Sequence, residues 1–255
     1  MSITDPCRRC GHKRAWLLRP VREHDGVMPV EARVTAGGAV ELVGWYEAAV
    51  CAGCGWAQFW AHDYAPSGAA APIPACLECD AVSGWTIAEA SDVLSAHATT
   101  SISIHLAPRK QPTARFLTVD WTGVLAVRIC AQCAAASWFC RPDLASAANL
   151  DEPPPSPRTC RRCQSPQISS QLEDWSAGGS DIRDLARHRA IAAGHGAGLF
   201  RLLGKHMGRF ELDVCRHCFS VEWHGVELSA MRENARLGVS RLERGASEGD
   251  SGPYR

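Results

Sequence analysis

Twelve of the thirteen cysteines form six C-x-x-C pairs: Cys7/Cys10, Cys51/Cys54, Cys76/Cys79, Cys130/Cys133, Cys160/Cys163 and Cys215/Cys218. Random placement of the same cysteines would give roughly 0.6 such pairs, so six are a built pattern. A C-x-x-C turn presents two thiolates at the bite distance of one tetrahedral cation, and two such turns together close an S4 site. The competing chemistry, a redox disulfide inside each pair, needs a βαβ setting that this sequence lacks. Cys140 is left over from the C-x-x-C pattern and reads as a buried small hydrophobe beside Phe139, since a catalytic thiol would want a basic neighbour and the sequence assigns it no particular histidine.

Joined in chain order, the pairs give three units and predict three metal ions. Flanking residues support that joining. Seven positions before each second pair lies a glycine (Gly44, Gly123, Gly208), read as a turn or bulge. Apolar residues then alternate: Tyr46, Ala48, Val50; Leu125, Val127, Ile129; Phe210, Leu212, Val214. That period of two is a strand with one buried face. Five positions after each second pair stands an aromatic, Phe59, Trp138 or Trp223. Six after the first pair, units one and two carry Trp16 and Trp85, where unit three has Ser169. The chain is an internal repeat.

The remaining elements follow from local pattern. "VEARVTAGGAVELVGWYEAAV" is two strands around a Gly-Gly turn, and "TSISIHL" with "RFLTVDWTGVLAVRI" is a second hairpin. Unit three is expected to insert a helix over "SDIRDLARHRAIAAG", with Ser180 as N-cap and Gly194 beyond its end. A short C-terminal helix is expected over 226–244, from Leu228, Met231, Ala235 and Leu242, with disorder from Gly245 onward. The predicted organisation is unit one over 1–64, a linker over 65–75, unit two over 76–142, a Pro-rich linker over 143–159, partly extended at Pro153–Pro155, unit three over 160–228, and a tail over 229–255. Linkers of this kind are expected to keep the three cores independent.

Paired cysteine knuckles on a β-hairpin resemble the zinc-ribbon (rubredoxin-like) group. The resemblance implies small, mainly β units, each a three-stranded antiparallel sheet around one structural zinc, here three ions held by Cys7, Cys10, Cys51 and Cys54; Cys76, Cys79, Cys130 and Cys133; and Cys160, Cys163, Cys215 and Cys218. Units this small bury little apolar surface, and an ion supplies the missing stability. The same cage holds iron in rubredoxins, which keeps an iron electron carrier as an alternative. Two departures stand out. The segments between knuckles are long, and the knuckle glycine is present in unit one (Gly11, Gly55) but replaced by Asp80, Ala134, Gln164 and Phe219 elsewhere. His12, His62, His217 and His224 lie near knuckles and are expected to be surface or supporting groups, since four cysteines already close each site.

Lys plus Arg and Asp plus Glu are equal at 27 each, so the chain is neither a bulk polycation nor an acidic tail. No apolar leader precedes Cys7, paired cysteines suit a reducing compartment, and Arg-rich, Lys-poor usage suits a GC-rich bacterial genome; a cytoplasmic bacterial protein is expected. No G-x-S-x-G, phosphate-cradling loop or H-E-x-x-H occurs, and closed S4 sites leave no coordination position for substrate. The expected function is a non-enzymatic scaffold or adaptor that binds protein partners. The alternative is a nucleic-acid-associated factor using the basic run Arg183, Arg187, Arg189, Arg201, Lys205 and Arg209, which has Asp184 as its one acid.

Overall fold

The computed structural model describes residues 5–19, 29–95, 98–101, 103–105, 123–140, 155–173, 190–191, 208–215, 217–235 and 238–243. Unit one holds β1 (Arg14–Leu18), β2 (Pro29–Val34), β3 (Val40–Cys51) and β4 (Trp56–His62). The stretch expected as the first linker holds β5 (Ala71–Pro72), and unit two holds β6 (Ser83–Ile87), β7 (Ser91–Ser95), β8 (Ala98–Ser101), β9 (Ser103–His105), β10 (Gly123–Cys130) and β11 (Ala135–Cys140). β12 (Pro155–Thr159) leads into unit three, which holds β13 (Pro166–Glu173), β14 (Ala190–Ile191), β15 (Gly208–Cys215) and β16 (Ser220–Val226), followed by β17 (Val239–Glu243). The protein is mainly β and its pairings are antiparallel.

Each unit is built around the same three strands. The strand leaving the first knuckle pairs with the one entering the second knuckle, which pairs with the one leaving it: β1–β3–β4, β6–β10–β11 and β13–β15–β16. Register explains the missing tryptophan of unit three. Trp16 faces Val50 and Trp85 faces Ile129, each just before a second-knuckle cysteine. In unit three the residue facing Val214 is Ile168, not Ser169. The exit from the Cys160/Cys163 knuckle is one residue shorter, so an ungapped alignment slips there by one position.

The Gly-Gly hairpin is present, with Gly37 and Gly38 at positive φ and the Thr35 N–H donating to the Ala39 carbonyl at 2.7 Å. Gly44 stands opposite a register shift in β2, and Gly123 and Gly208 open β10 and β15. Part of the stretch expected as the second linker, Pro155–Thr159, is a strand paired with β13.

The C-terminal helix expected over 226–244 does not form. Leu228–Ala230 is a single 3-10 turn, and Val239–Glu243 is β17, paired along the whole of β1 in unit one. Glu227 and Gly238 both adopt left-handed backbone, φ 57° and 65°, which stops a helix at either end. Met231 and Val239 instead bury in the common core. No α-helix occurs among the described residues, and none there is long and apolar enough to cross a membrane. The helix expected over 180–194 lies outside the described residues apart from Ala190–Ile191, which is strand.

The three cores are one core. β4, β11 and β16 pair with one another in a closed triangle. Counting from Cys54, Cys133 and Cys218, the second and third residues of each unit pair with the sixth and fifth of the preceding one. Trp56 and Ala57 face His224 and Trp223; Ala135 and Ala136 face Trp60 and Phe59; Ser220 and Val221 face Phe139 and Trp138. A backbone bond repeats the rule one step out: Gly225 N–H to Gly55 O, Ala61 N–H to Ala134 O, Cys140 N–H to Phe219 O, at 2.6–2.8 Å. The arrangement is a pseudo-threefold ring within one chain. Its axis is filled by the fifth-position aromatics, with centroids 5.5 Å apart for Phe59–Trp138, 5.3 Å for Phe59–Trp223 and 5.2 Å for Trp138–Trp223. Cys140 is buried in this same cluster.

Candidate metal centres and the face around the axis

Six turns of one geometry make the sulfur sites. In each, the residue after the second cysteine adopts left-handed backbone, φ 56° to 74°: Gly11, Gly55, Asp80, Ala134, Gln164 and Phe219. Its N–H returns to the carbonyl of the first cysteine at 2.6–3.0 Å. Four of the six therefore hold a conformation that costs a side-chain residue about 1 kcal/mol or more. Gly55 is the position where glycine is needed twice over. Its φ is 74°, and a Cβ there would lie 2.1 Å from the Gly225 carbonyl oxygen. The first cysteine of every pair is buried, and it faces the amide N–H groups two and three residues further on. These fixed dipoles favour thiolate.

All twelve expected ligands come together as three groups of four, with ligand atoms within 4.8 Å of one another in each. The connectivity is the same in all three. The first cysteine of one knuckle approaches the second of the other: Cys7–Cys54 3.7 Å, Cys10–Cys51 3.6 Å; Cys76–Cys133 3.7 Å, Cys79–Cys130 3.5 Å; Cys160–Cys218 3.6 Å, Cys163–Cys215 3.4 Å. A tetrahedral site with metal–sulfur bonds of about 2.3 Å has sulfur–sulfur edges of about 3.8 Å, whereas a disulfide needs about 2.05 Å. The groups fit metal and do not fit disulfides.

Crowded thiols split their proton affinities. Hydrogen bonds with Cys51 and Cys54 pull Cys7 far below an ordinary thiol, and those with Cys51 and Cys7 push Cys54 far above one. Hydrogen bonds from Ser165 bring Cys163 down to about 6, while burial lifts Cys215 to about 12. A bound cation would take all four sulfurs as thiolates and cross-link the two knuckles. None of the four knuckle histidines belongs to a group. His12, His62 and His217 are exposed. His224 is fully buried and enters a different cluster.

That cluster lies where units one and three meet. Asp213 and His224 are both fully buried, 3.4 Å apart, and Glu222 is 3.9 Å from the same imidazole nitrogen. Arg158 binds Asp213 at 3.0 Å, and Arg9 binds Glu222 at 2.5 Å. Each carboxylate is thus already matched. Burial first, then the Arg158 and Arg9 charges, bring His224 down to about 2, so it stays neutral.

Around the axis, the outer face of the ring receives the three first knuckles. Arg8 donates to the Leu77 carbonyl at 2.7 Å, tying unit one to unit two. Glu78 accepts from Gln58 at 3.3 Å and faces Arg161 at 3.6 Å. The Arg161 N–H donates to Glu222 at 2.8 Å, and its guanidinium covers the Trp56 ring at 4.0 Å. Arg128 covers Phe139 at 4.0 Å. A shallow depression runs among these groups, with Ser137 and Arg162 in its lining.

The residues between the cysteines, Arg8-Arg9, Leu77-Glu78 and Arg161-Arg162, carried no message before the ring was known. The signal was present in the shared fourth position, Gln58, Ser137 and Glu222, but only strand pairing shows that these share a face. The basic run proposed for nucleic acid lies outside the described residues, except for the backbone of Arg209 in β15, paired with Ala190 and Val226. Comparisons with protein-family models, curated proteins and solved structures found no match to this chain.

Proposed function

We propose that the chain is a non-enzymatic scaffold in which three structural zinc ions hold six cysteine knuckles, and that the face carried by those knuckles binds partner proteins. The observation that supports it most is the closure of the sulfur groups. Every ligand position is a cysteine on a tight turn joined to a β-strand, so an ion there braces turns and has no vacant position for substrate. Zinc-ribbon character and zinc itself are part of this proposal, since S4 geometry suits iron as well.

Metal analysis of protein purified without added metal tests it. Three zinc ions per chain are expected, and a strong chelator should unfold all three units, because apparent stabilisation by structural zinc is about 10–16 kcal/mol. One ion per chain, or red-brown iron-loaded protein, would overturn the reading in favour of another fold economy or an electron carrier.

A further inference from the structure

We propose that the corner of the ring between units two and three binds a carboxylate presented by a partner protein, held between Arg128 and Arg162. The inference rests on the scaffold reading above and names the face and the chemistry it recognises.

Pseudo-threefold symmetry carries the argument. At each corner, the symmetry sets the last residue between the cysteines of one unit's first knuckle against the fourth residue after the second knuckle of the preceding unit. Between units one and three these are Arg9 and Glu222, 2.5 Å apart. Between units two and one they are Glu78 and Gln58, 3.3 Å apart. Between units three and two they are Arg162 and Ser137, which line the same depression. Two corners are closed by the chain's own polar partners. At the third, a serine stands where a carboxylate closes its counterpart, and no carboxylate reaches Arg162 or Arg128 among the described residues.

Arg128 doubles the vacancy. It comes from β10, is partly buried, and its guanidinium lies over the Phe139 ring and lines the same depression as Arg162 and Ser137. The two glutamates of the depression are engaged elsewhere, Glu222 by Arg9 and Glu78 by Gln58 and Arg161. Paired guanidinium forks suit planar, bidentate acceptors. The chain itself shows which acceptor fits, since Glu222 closes the equivalent corner. Trp60, Leu77 and Phe139 add apolar surface to the lining of the depression, which suits a peptide around that carboxylate.

A fluorescein-labelled hexaglutamate peptide is the probe, titrated at low salt against the full chain loaded with metal. Saturable binding is expected, weakened about tenfold or more by Arg128→Gln/Arg162→Gln and unchanged by Arg14→Gln, whose side chain is exposed on β1. Ser137→Glu should supply the missing carboxylate from within, abolish peptide binding and raise the thermal midpoint. If Ser137→Glu loses its metal, the double glutamine variant decides alone, with metal content and circular dichroism as its controls. No saturable binding up to about 1 mM peptide, equal loss with Arg14→Gln, or tighter binding of single-stranded oligothymidylate would overturn the proposal. Failure with three zinc ions still present leaves the scaffold intact and removes only this site. Failure of metal stoichiometry removes the scaffold itself.

Discussion

The sulfur groups and the aromatic axis are two kinds of centre, and they divide the chain differently. Each group of four cysteines lies wholly within one unit, and the same design appears three times. The axis is made once, from one residue of each unit: Phe59, Trp138 and Trp223. A residue in a sulfur group therefore answers to its own repeat, while a residue on the axis answers to all three. Repetition along a chain does not imply independence. Here the strands that leave the second knuckles hydrogen-bond to one another and merge the expected separate cores.

The strongest way to break this contrast is Trp223→Ala. Truncating a buried aromatic costs about 3–5 kcal/mol. Because Trp223 contacts Phe59 and Trp138 across two unit boundaries, all three units should lose protection from hydrogen exchange together. Protection lost in unit three alone would restore the picture of three separate cores.

The acid response probes the seam between units one and three. With His224 depressed from 6.5 to about 2, the unfolded chain binds a proton that the folded chain refuses. Its contribution is complete above the unfolded value and is lost as pH falls toward the folded one. Between about pH 7 and about pH 5 it amounts to about 2 kcal/mol of lost stability. Urea titrations of wild type and His224→Gln across that range should show the steeper fall in wild type. Parallel curves would mean that the imidazole is charged in the fold. Cysteine protonation is common to both proteins and cancels.

Tyr46→Phe is the mildest case and sharpens the account of the axis. Tyr46 is fully buried, its ring lies 4.9 Å from that of Trp138, and its hydroxyl has no hydrogen-bond partner among the described residues. Removing an unsatisfied buried hydroxyl should leave the metal content unchanged and raise stability by about 1 kcal/mol, read from the urea midpoint.

What could be read from the sequence was local. Cysteine spacing identified all twelve members of the sulfur groups, because a knuckle needs only residues close in the chain. Alternation of Leu125, Val127 and Ile129 announced a strand with a buried face, and all three are buried. The tail misled because Leu228, Met231 and Leu242 look helical in spacing, while the left-handed residues Glu227 and Gly238 and the free edge of β1 decide for turn and strand. The charged face was illegible for a different reason. Arg9 and Glu222 are more than two hundred positions apart, and nothing local couples them. Even the paired motif CRRC hides a difference: Arg9 meets a glutamate, and Arg162 shares its depression with a serine.

The triangle of β4, β11 and β16 has a meaning beyond stability. Each strand offers one end to the unit before it and the other end to the unit after it, so the contact is heterologous and closes after three steps. That is the symmetry of a cyclic trimer, here with its protomers fused into a single polypeptide. In a true trimer any substitution is copied to every protomer, and the three corners must stay identical. Fusion lifts that constraint. One corner can keep its ion pair for cohesion while another gives its up, and a ring that holds itself together at two corners has the third available for something else.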